Sequence, residues 1–214
     1  MNGINRLLAL KAENDAAGAL MLEMRPRFAQ LAQRHELGTA PRAVIGFNLF
    51  QTPRAVASRM ADLIRERVRP GARILEPSAG LGRLWEPFSG EAEELRQEWV
   101  MVEEAAECVR AVRSMLNRAA VHERDFLATS AGDLGGEFDA VIMNPPFKMG
   151  RDVKHVRHAL DMLKPGGRLV SLCYNGTRQN AELRPLATTW EVLPEGSFKA
   201  EGTSASVCLL TIDK

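Results

Sequence analysis

The stretch FDAVIMNPPFKMG, residues 138–150, ends an apolar run on Asn144-Pro145-Pro146-Phe147. The Asn144 side-chain oxygen and the Pro145 carbonyl are both hydrogen-bond acceptors, and Pro145 and Pro146 fix φ, so the two acceptors would be held in place. Two fixed acceptors can take both N–H bonds of a planar amino group. They then favour a more tetrahedral nitrogen whose lone pair is aimed at an electrophile. Phe147 adds a flat face on which a planar ring can stack. A strand-terminating turn would account for the prolines but leaves Asn144 and Phe147 without a role.

Other apolar runs also end on residues that could meet a ligand. Glu76-Pro77-Ser78-Ala79-Gly80-Leu81-Gly82 places an acid where a strand meets a loop, and Gly80 and Gly82 allow close backbone approach. The third glycine of a dinucleotide loop is missing, since that spacing falls on Trp85, and the Lys-Ser/Thr of a phosphate loop is absent too. An acid in the loop argues for a cationic or amino-bearing ligand over a bare phosphate. Val102-Glu103 closes the next run with an acid placed to hold ribose hydroxyls, while Glu104 and Glu107 read as helix-start charges. In HERDFLA, Asp125 and Phe126 set a carboxylate that can accept from an adenine amino group beside an apolar side chain.

The elements that must position these residues alternate along the chain. ARILEP (72–77), EWVMVE (98–103), FDAVIMN (138–144) and GRLVSLCY (167–174) read as strands buried on both faces. Helices are expected over Leu81–Phe88, Glu104–Arg118 and Val153–Leu163, with Lys164-Pro165-Gly166-Gly167 turning the last into a strand. The terminal TWEVLPEGSFKAEGTSASVCLLTID reads as two strands too closely spaced for a helical crossover, so that edge should be antiparallel. Together these give an α/β doubly wound sheet, in which ligands bind beyond the carboxyl ends of the strands.

Ahead of the sheet, FNLFQTPRAVASRMADLIRERVRPG reads as a helix. Thr52 is its expected N-cap and Pro53 its first residue; Val56, Met60, Leu63, Ile64 and Val68 share a face, and Pro70-Gly71 ends it. Residues 4–37 read as helical, interrupted near Gly18 and Pro26, with a stripe of Leu20, Met21, Met24, Phe28 and Leu31. This gives an N-terminal helical extension over 1–45 and a main domain over 46–214.

With 214 residues and 45% hydrophobic content, one domain with a proper core and a modest extension is expected. Cys108, Cys173 and Cys208 show no disulfide or zinc spacing and read as reduced core thiols of a cytoplasmic protein. His155 and His158 are three apart with no third ligand nearby, which makes them a helix surface and not a metal site. The start of the chain reads as neither a signal peptide nor a membrane span. Net charge is +1, but residues 1–73 carry twelve Lys/Arg against six acids. That arginine-rich third is a candidate anion-facing surface, solvated helices being the alternative.

Taken in order, the glycine loop, the acid after the second strand, Asp-Phe and Asn-Pro-Pro-Phe resemble class I S-adenosylmethionine-dependent methyltransferases. Asn-Pro-Pro-Phe is similar to the motif of the branch that methylates planar amino or amide nitrogens, including adenine-N6 DNA methyltransferases. FNLFQTP resembles the Phe-x-Thr-Pro element of that branch, and the stretches HALDMLKPGGRLVSL and LPEGSFKAEGTSASVCLLTIDK look like those of small phage- and plasmid-borne members. The resemblance covers about residues 45–214.

It implies a Rossmann-like, mostly parallel seven-stranded sheet with an antiparallel C-terminal hairpin, and S-adenosylmethionine as cofactor. Thr52, Pro53, Glu76, Ser78, Ala79, Gly80, Gly82, Glu103, Asp125, Phe126 and Asn144 would line the cofactor, with Glu76 at the methionine amino group. Asn144, Pro145, Pro146 and Phe147 would be catalytic, and Phe147, Lys148, Arg151, Phe198 and Thr203 would meet the substrate. Phe198 offers a second stacking surface or, alternatively, a core residue.

The implied partner is nucleic acid, DNA first. Alternatives are RNA at adenine N6 or guanine N2, a protein glutamine amide, or a non-catalytic binding module retaining the fold. DNA-specific relatives usually carry a target recognition domain, whereas only KMGRD separates Phe147 from Val153. Specificity would then be slight, or come from the N-terminal extension, from a homodimer partner, or from a substrate other than duplex DNA.

Overall fold

Apolar runs without polar alternation need cover on both faces, and here helices supply it. The computed structural model describes residues 51–116 and 119–214. Strands β1 (Arg73–Pro77), β2 (Glu98–Glu103), β3 (Ala120–Glu123), β4 (Phe138–Met143), β5 (Leu163–Tyr174), β6 (Thr189–Val192) and β7 (Val207–Asp213) form one sheet in the order β3-β2-β1-β4-β5-β7-β6. Every pairing from β3 to β5 is parallel, and β7 runs antiparallel to both β5 and β6. The expected seven-stranded α/β fold with an antiparallel terminal hairpin is therefore present. The expected extension over 1–45, its boundary and most of the arginine-rich third lie outside the described residues.

Helix α1 (Arg54–Arg65) covers one face, its Ala57, Met60, Ala61 and Ile64 packing in one core with Ile74, Met101, Ile142 and Leu172. Helix α2 (Ala106–Met115) adds Val112 to the same core. On the other face α3 (Arg151–Asp161) packs Val153, Val156 and Ala159 with Leu75, Val141 and Leu169. A short helix, α4 (Thr177–Glu182), follows β5.

Several local expectations change. Helix α1 begins at Arg54 with Pro53 as its cap, whose carbonyl accepts from the Ala57 amide at 2.9 Å; the Thr52 hydroxyl makes no cap bond because it is used elsewhere. Residues 81–88 are turns and a 3-10 helix, Glu86–Phe88, instead of an α-helix. Pro87 has no amide to donate, and Gly82 sits at φ +74° with its Cα close against α2, where a Cβ would lie 3.2 Å from Met115. Lys164–Gly166 is an excursion within β5: Phe138 pairs with Leu163 while Ala140 pairs with Arg168.

The chain builds β1, β2 and β3 outward in one direction, then crosses to β4 and β5 on the other side of β1. Strand order therefore reverses between β1 and β4, where such sheets hold ligands. With Leu75 in register with Val141, the loops after Pro77 and Met143 leave the sheet side by side.

Candidate active site

The loop after β1 is pinned from two sides. The Ala79 amide donates to the Val102 carbonyl at 3.0 Å, and the Gly80 amide to Glu103 Oε2 at 2.7 Å. Ser78, Gly80 and Gly82 all adopt positive φ, at 63°, 55° and 74°. For glycine this is easy; for Ser78 it is a strained conformation of the kind that collects at functional loops. Ser78 Oγ lies 3.3 Å from His155 Nδ1, which ties the loop to α3.

At the head of this loop Glu76 is 1% exposed. The Leu84 amide donates to its carboxyl, while Oε2 has no hydrogen-bond partner among the described residues. Burial holds its pKa well above the usual carboxylate range; the Leu84 bond opposes the rise and the Glu103 charge adds to it. A buried, half-satisfied acid is what a cationic ligand group would complete.

Glu103 ends β2 nearly buried and accepts from three backbone amides. Its Oε2 takes Gly80, and its Oε1 accepts from the amides of Glu104 at 2.9 Å and Ala105 at 2.8 Å, the two residues that lead into α2. Beyond β3, Asp125 Oδ1 accepts from the Leu127 amide at 3.0 Å, and the buried Phe126 ring packs edge-on against His158, with ring centres 4.8 Å apart. Arg151 leans toward these acids, 3.7 Å from Glu104 and 3.8 Å from Asp125. Both pairs are exposed and worth little.

Beyond β4, Asn144 Nδ2 donates to Thr52 Oγ1 at 3.1 Å, and Thr52 is 2% exposed. The amide nitrogen is thereby turned to Thr52 and the side-chain oxygen to the opposite side. Pro145 is buried, and Phe147 is half-buried against the α1-side core. The chain then turns tightly: Met149 (φ 59°) and Gly150 (φ 71°) are successive left-handed residues before α3. Lys148 and Met149 are exposed on this turn.

The switch point thus gathers Thr52, the glycine loop, Glu103 and Asn144-Pro145-Pro146-Phe147. One expectation changes. Phe198 is 2% exposed and packs with Leu193, Val207 and Leu209, the core alternative, so it offers no stacking face here. Thr203, half-buried on the same segment, accepts from the Ala205 amide through Oγ1 at 3.1 Å.

His155 is not on a helix surface: it is 2% exposed, its Nε2 has no partner among the described residues, and burial, with Arg151 nearby, lowers its pKa to about 4. The spacing of Asp152, His155, Val156 and Ala159 on one helical face was the available signal. No group of three or more His, Cys, Asp or Glu among the described residues could hold a metal ion. Five of the six described arginines of the basic third are ion-paired: Arg54 with Glu86, Arg59 with Glu191, Arg65 with Glu91, Arg67 with Asp213 and Arg73 with Glu98.

A family model for the methyltransferase small domain matches residues 60–199. The chain belongs to the methyltransferase small-domain family. Similar solved structures include TrmN from Thermus thermophilus (19% identity, TM-score 0.60), covering 78% of this chain and 51% of that one. The methyltransferase subunit of a type I restriction-modification system from Streptococcus thermophilus aligns over 77% of this chain and 45% of its own, at 17% identity and TM-score 0.64. The chain thus spans about half the length of these two proteins. The glycopeptide N-methyltransferase MtfA, solved with S-adenosyl-L-homocysteine, aligns over 80% of this chain and 95% of its own, at 15% identity and TM-score 0.51. At these identities the likeness is one of fold. A search of curated protein sequences returned no match.

The methyltransferase uses S-adenosylmethionine, and the buried, unpartnered Glu76 oxygen fits the amino group of that cofactor. The positive-φ loop Ser78–Gly82 would lie along its backbone, with Glu103 toward the sugar and Asp125-Phe126 toward the adenine. Among the described residues, no helix is long and apolar enough to cross a membrane.

Proposed function

We propose that this methyltransferase acts on the exocyclic N6 amino group of adenine in DNA. The observation that carries the reading is the Thr52–Asn144 bond at 3.1 Å, which orients the amide ahead of two φ-restricted prolines. An adenine amino nitrogen is a poor nucleophile because its lone pair is delocalised into the ring. The Asn144 oxygen and the Pro145 carbonyl accept its two N–H bonds and bring the lone pair out of the ring plane. Phe147 supports the ring. The cofactor's sulfonium supplies the electrophilic methyl carbon. Thr52, nearly buried, keeps the amide from rotating, and the neighbouring prolines keep its backbone from drifting; this is catalysis by positioning. A base in a duplex must be flipped to reach such a pocket.

One observation favours a second reading, an amino group in single-stranded RNA. The chain passes from Phe147 through one tight turn straight into α3, with no domain inserted between them. An unpaired target dispenses with flipping.

The test offers duplex DNA, single-stranded DNA, total RNA and a protein extract in parallel with labelled cofactor, followed by mass spectrometry of the digested products. Methyladenine in DNA is expected. Asn144→Ala should lower kcat by about 100-fold or more, the scale of a lost positioning group, with cofactor affinity unchanged. Label confined to RNA or protein would move the substrate. Cofactor binding without transfer to any of these would leave a binding module.

A further inference from the structure

β5 is buried from Gly167 to Cys173 and then ends on Tyr174, which is 42% exposed. It is the chain's one tyrosine. β4 and β5 are parallel, with Met143 in register with Ser171, so Asn144 and Tyr174 both follow at the carboxyl edge of the sheet. Side chains alternate along a strand. Ala140 and Ile142 in β4, and Val170 and Leu172 in β5, belong to the α1-side core; Asn144 and Tyr174 continue those two rows.

The segment after β5 is fastened to the turn after Phe147. Asp152, with no exposure, accepts the Tyr174 amide at 3.0 Å and the Gln179 side-chain amide at 2.9 and 3.0 Å. Arg178 Nη1 donates to the Met149 carbonyl at 3.3 Å. Gly150 leaves room for that arginine, since a Cβ there would meet Nη1. At the turn after Phe147 and the end of β5 fastened to it, the chain thus presents an exposed tyrosine, the 82% exposed Met149, and the cations Lys148 and Arg178. Flat rings interleaved with cations are the chemistry that binds unstacked bases and their phosphates.

We infer that Tyr174 and Arg178 form a substrate wall of the active site: Tyr174 stacks on an unstacked nucleobase and Arg178 meets an adjoining phosphate. This inference rests on a nucleic-acid substrate. It assigns to the end of β5 the second stacking face that the buried Phe198 does not supply.

The test uses the full chain and a labelled single-stranded deoxyadenosine-containing oligonucleotide, titrated over a salt series, with cofactor affinity measured by calorimetry and KM and kcat by methyl transfer. Tyr174→Ala should weaken oligonucleotide binding by about 5- to 150-fold, the range for loss of one stacked base. Tyr174→Phe should remain within about 2-fold of wild type, because the ring and not the hydroxyl stacks. Arg178→Ala should flatten the log–log salt slope by about 0.7, one single-strand phosphate contact. Both alanine variants should raise KM more than they lower kcat and keep wild-type cofactor affinity. The inference is overturned if Tyr174→Ala binds like wild type while the wild-type enzyme methylates nucleic acid. It is also overturned if cofactor affinity falls in step with oligonucleotide affinity, which would mark a structural role. A wild-type enzyme that binds cofactor, methylates another substrate and holds no oligonucleotide would overturn the nucleic-acid reading together with this one.

Discussion

If Glu76 holds the cofactor's amino group, folding stability and cofactor binding should pull in opposite directions there. The carboxyl is 1% exposed, accepts from the Leu84 amide, and leaves Oε2 without a partner among the described residues. Glu76→Gln keeps the size and the acceptor for Leu84 but removes the charge. An unsatisfied buried polar group costs about 1–3 kcal/mol, more when it is charged. We therefore expect the variant, without cofactor at pH 8, to be more stable than wild type by about 1–2 kcal/mol. In a chain of this size that is about 2–8 °C in Tm.

The pH dependence gives the sign. Because burial raises the folded-state pKa, the folded protein keeps this proton to higher pH than the unfolded chain. Stability from the group is fully present below the unfolded value near 4.5 and is lost as pH rises through the folded value. Glutamine does not titrate, so the two proteins should converge in acid and separate as pH rises. Binding should run the other way: losing a charge-assisted hydrogen bond to the cofactor's amino group is worth about 10- to 100-fold in Kd. Thermal denaturation over a pH series, with and without S-adenosylmethionine, and calorimetric titration read both effects. A variant less stable than wild type at pH 8 without cofactor, or one with unaltered cofactor affinity, would refute the reasoning.

At Ser78, alanine keeps the strained backbone and strands His155 Nδ1, for a loss of about 1–3 kcal/mol. Ser78→Gly strands the same nitrogen but relaxes the backbone, so it should unfold at a higher urea midpoint than Ser78→Ala, by up to about 1 kcal/mol; equal midpoints would show that φ is immaterial. Arg168, 8% exposed, holds Asp213 through two bonds of 2.7 and 3.0 Å, Glu66 at 2.8 Å and the Leu63 carbonyl at 3.1 Å. Arg168→Met should cost about 2–3 kcal/mol at pH 7, below the range for a fully buried pair because both acids reach water. Hydrogen bonding to Arg168 lowers the Asp213 pKa, so this stability is present above the unfolded value of 3.8 and lost as pH falls through the folded one. The gap between the two urea midpoints should therefore narrow at pH 3.

Much of this was legible in the chain because the parallel strands are continuous apolar runs and the site residues sit at their ends. The strand boundaries at Glu98–Glu103 and the antiparallel terminal hairpin needed only patterning and loop length. Where the reading failed, a tertiary partner had outbid a local rule. Thr52 has the right type and place for a helix cap, but its hydroxyl accepts from Asn144, 92 residues away. Residues 81–88 have helical spacing, yet Pro87 and the close approach of Gly82 to α2 break it. His155 looked exposed because histidine is polar, although its helical face is the buried one. Tyr174 carried no signal, since only the parallel pairing of β4 and β5 brings the end of β5 to the same edge of the sheet as Asn144.

If Glu103 meets the cofactor's ribose as the motif order implies, its three backbone amides give the sugar end of the pocket its own logic. A carboxylate has about four lone-pair directions, and Gly80, Glu104 and Ala105 already occupy three. One direction is left for a ribose hydroxyl. A second hydroxyl can bind only by exchange, displacing either the glycine-loop amide or one at the start of α2. Sugar occupancy, loop shape and helix entry therefore draw on one shared set of acceptor sites, and none of them can change without the others responding.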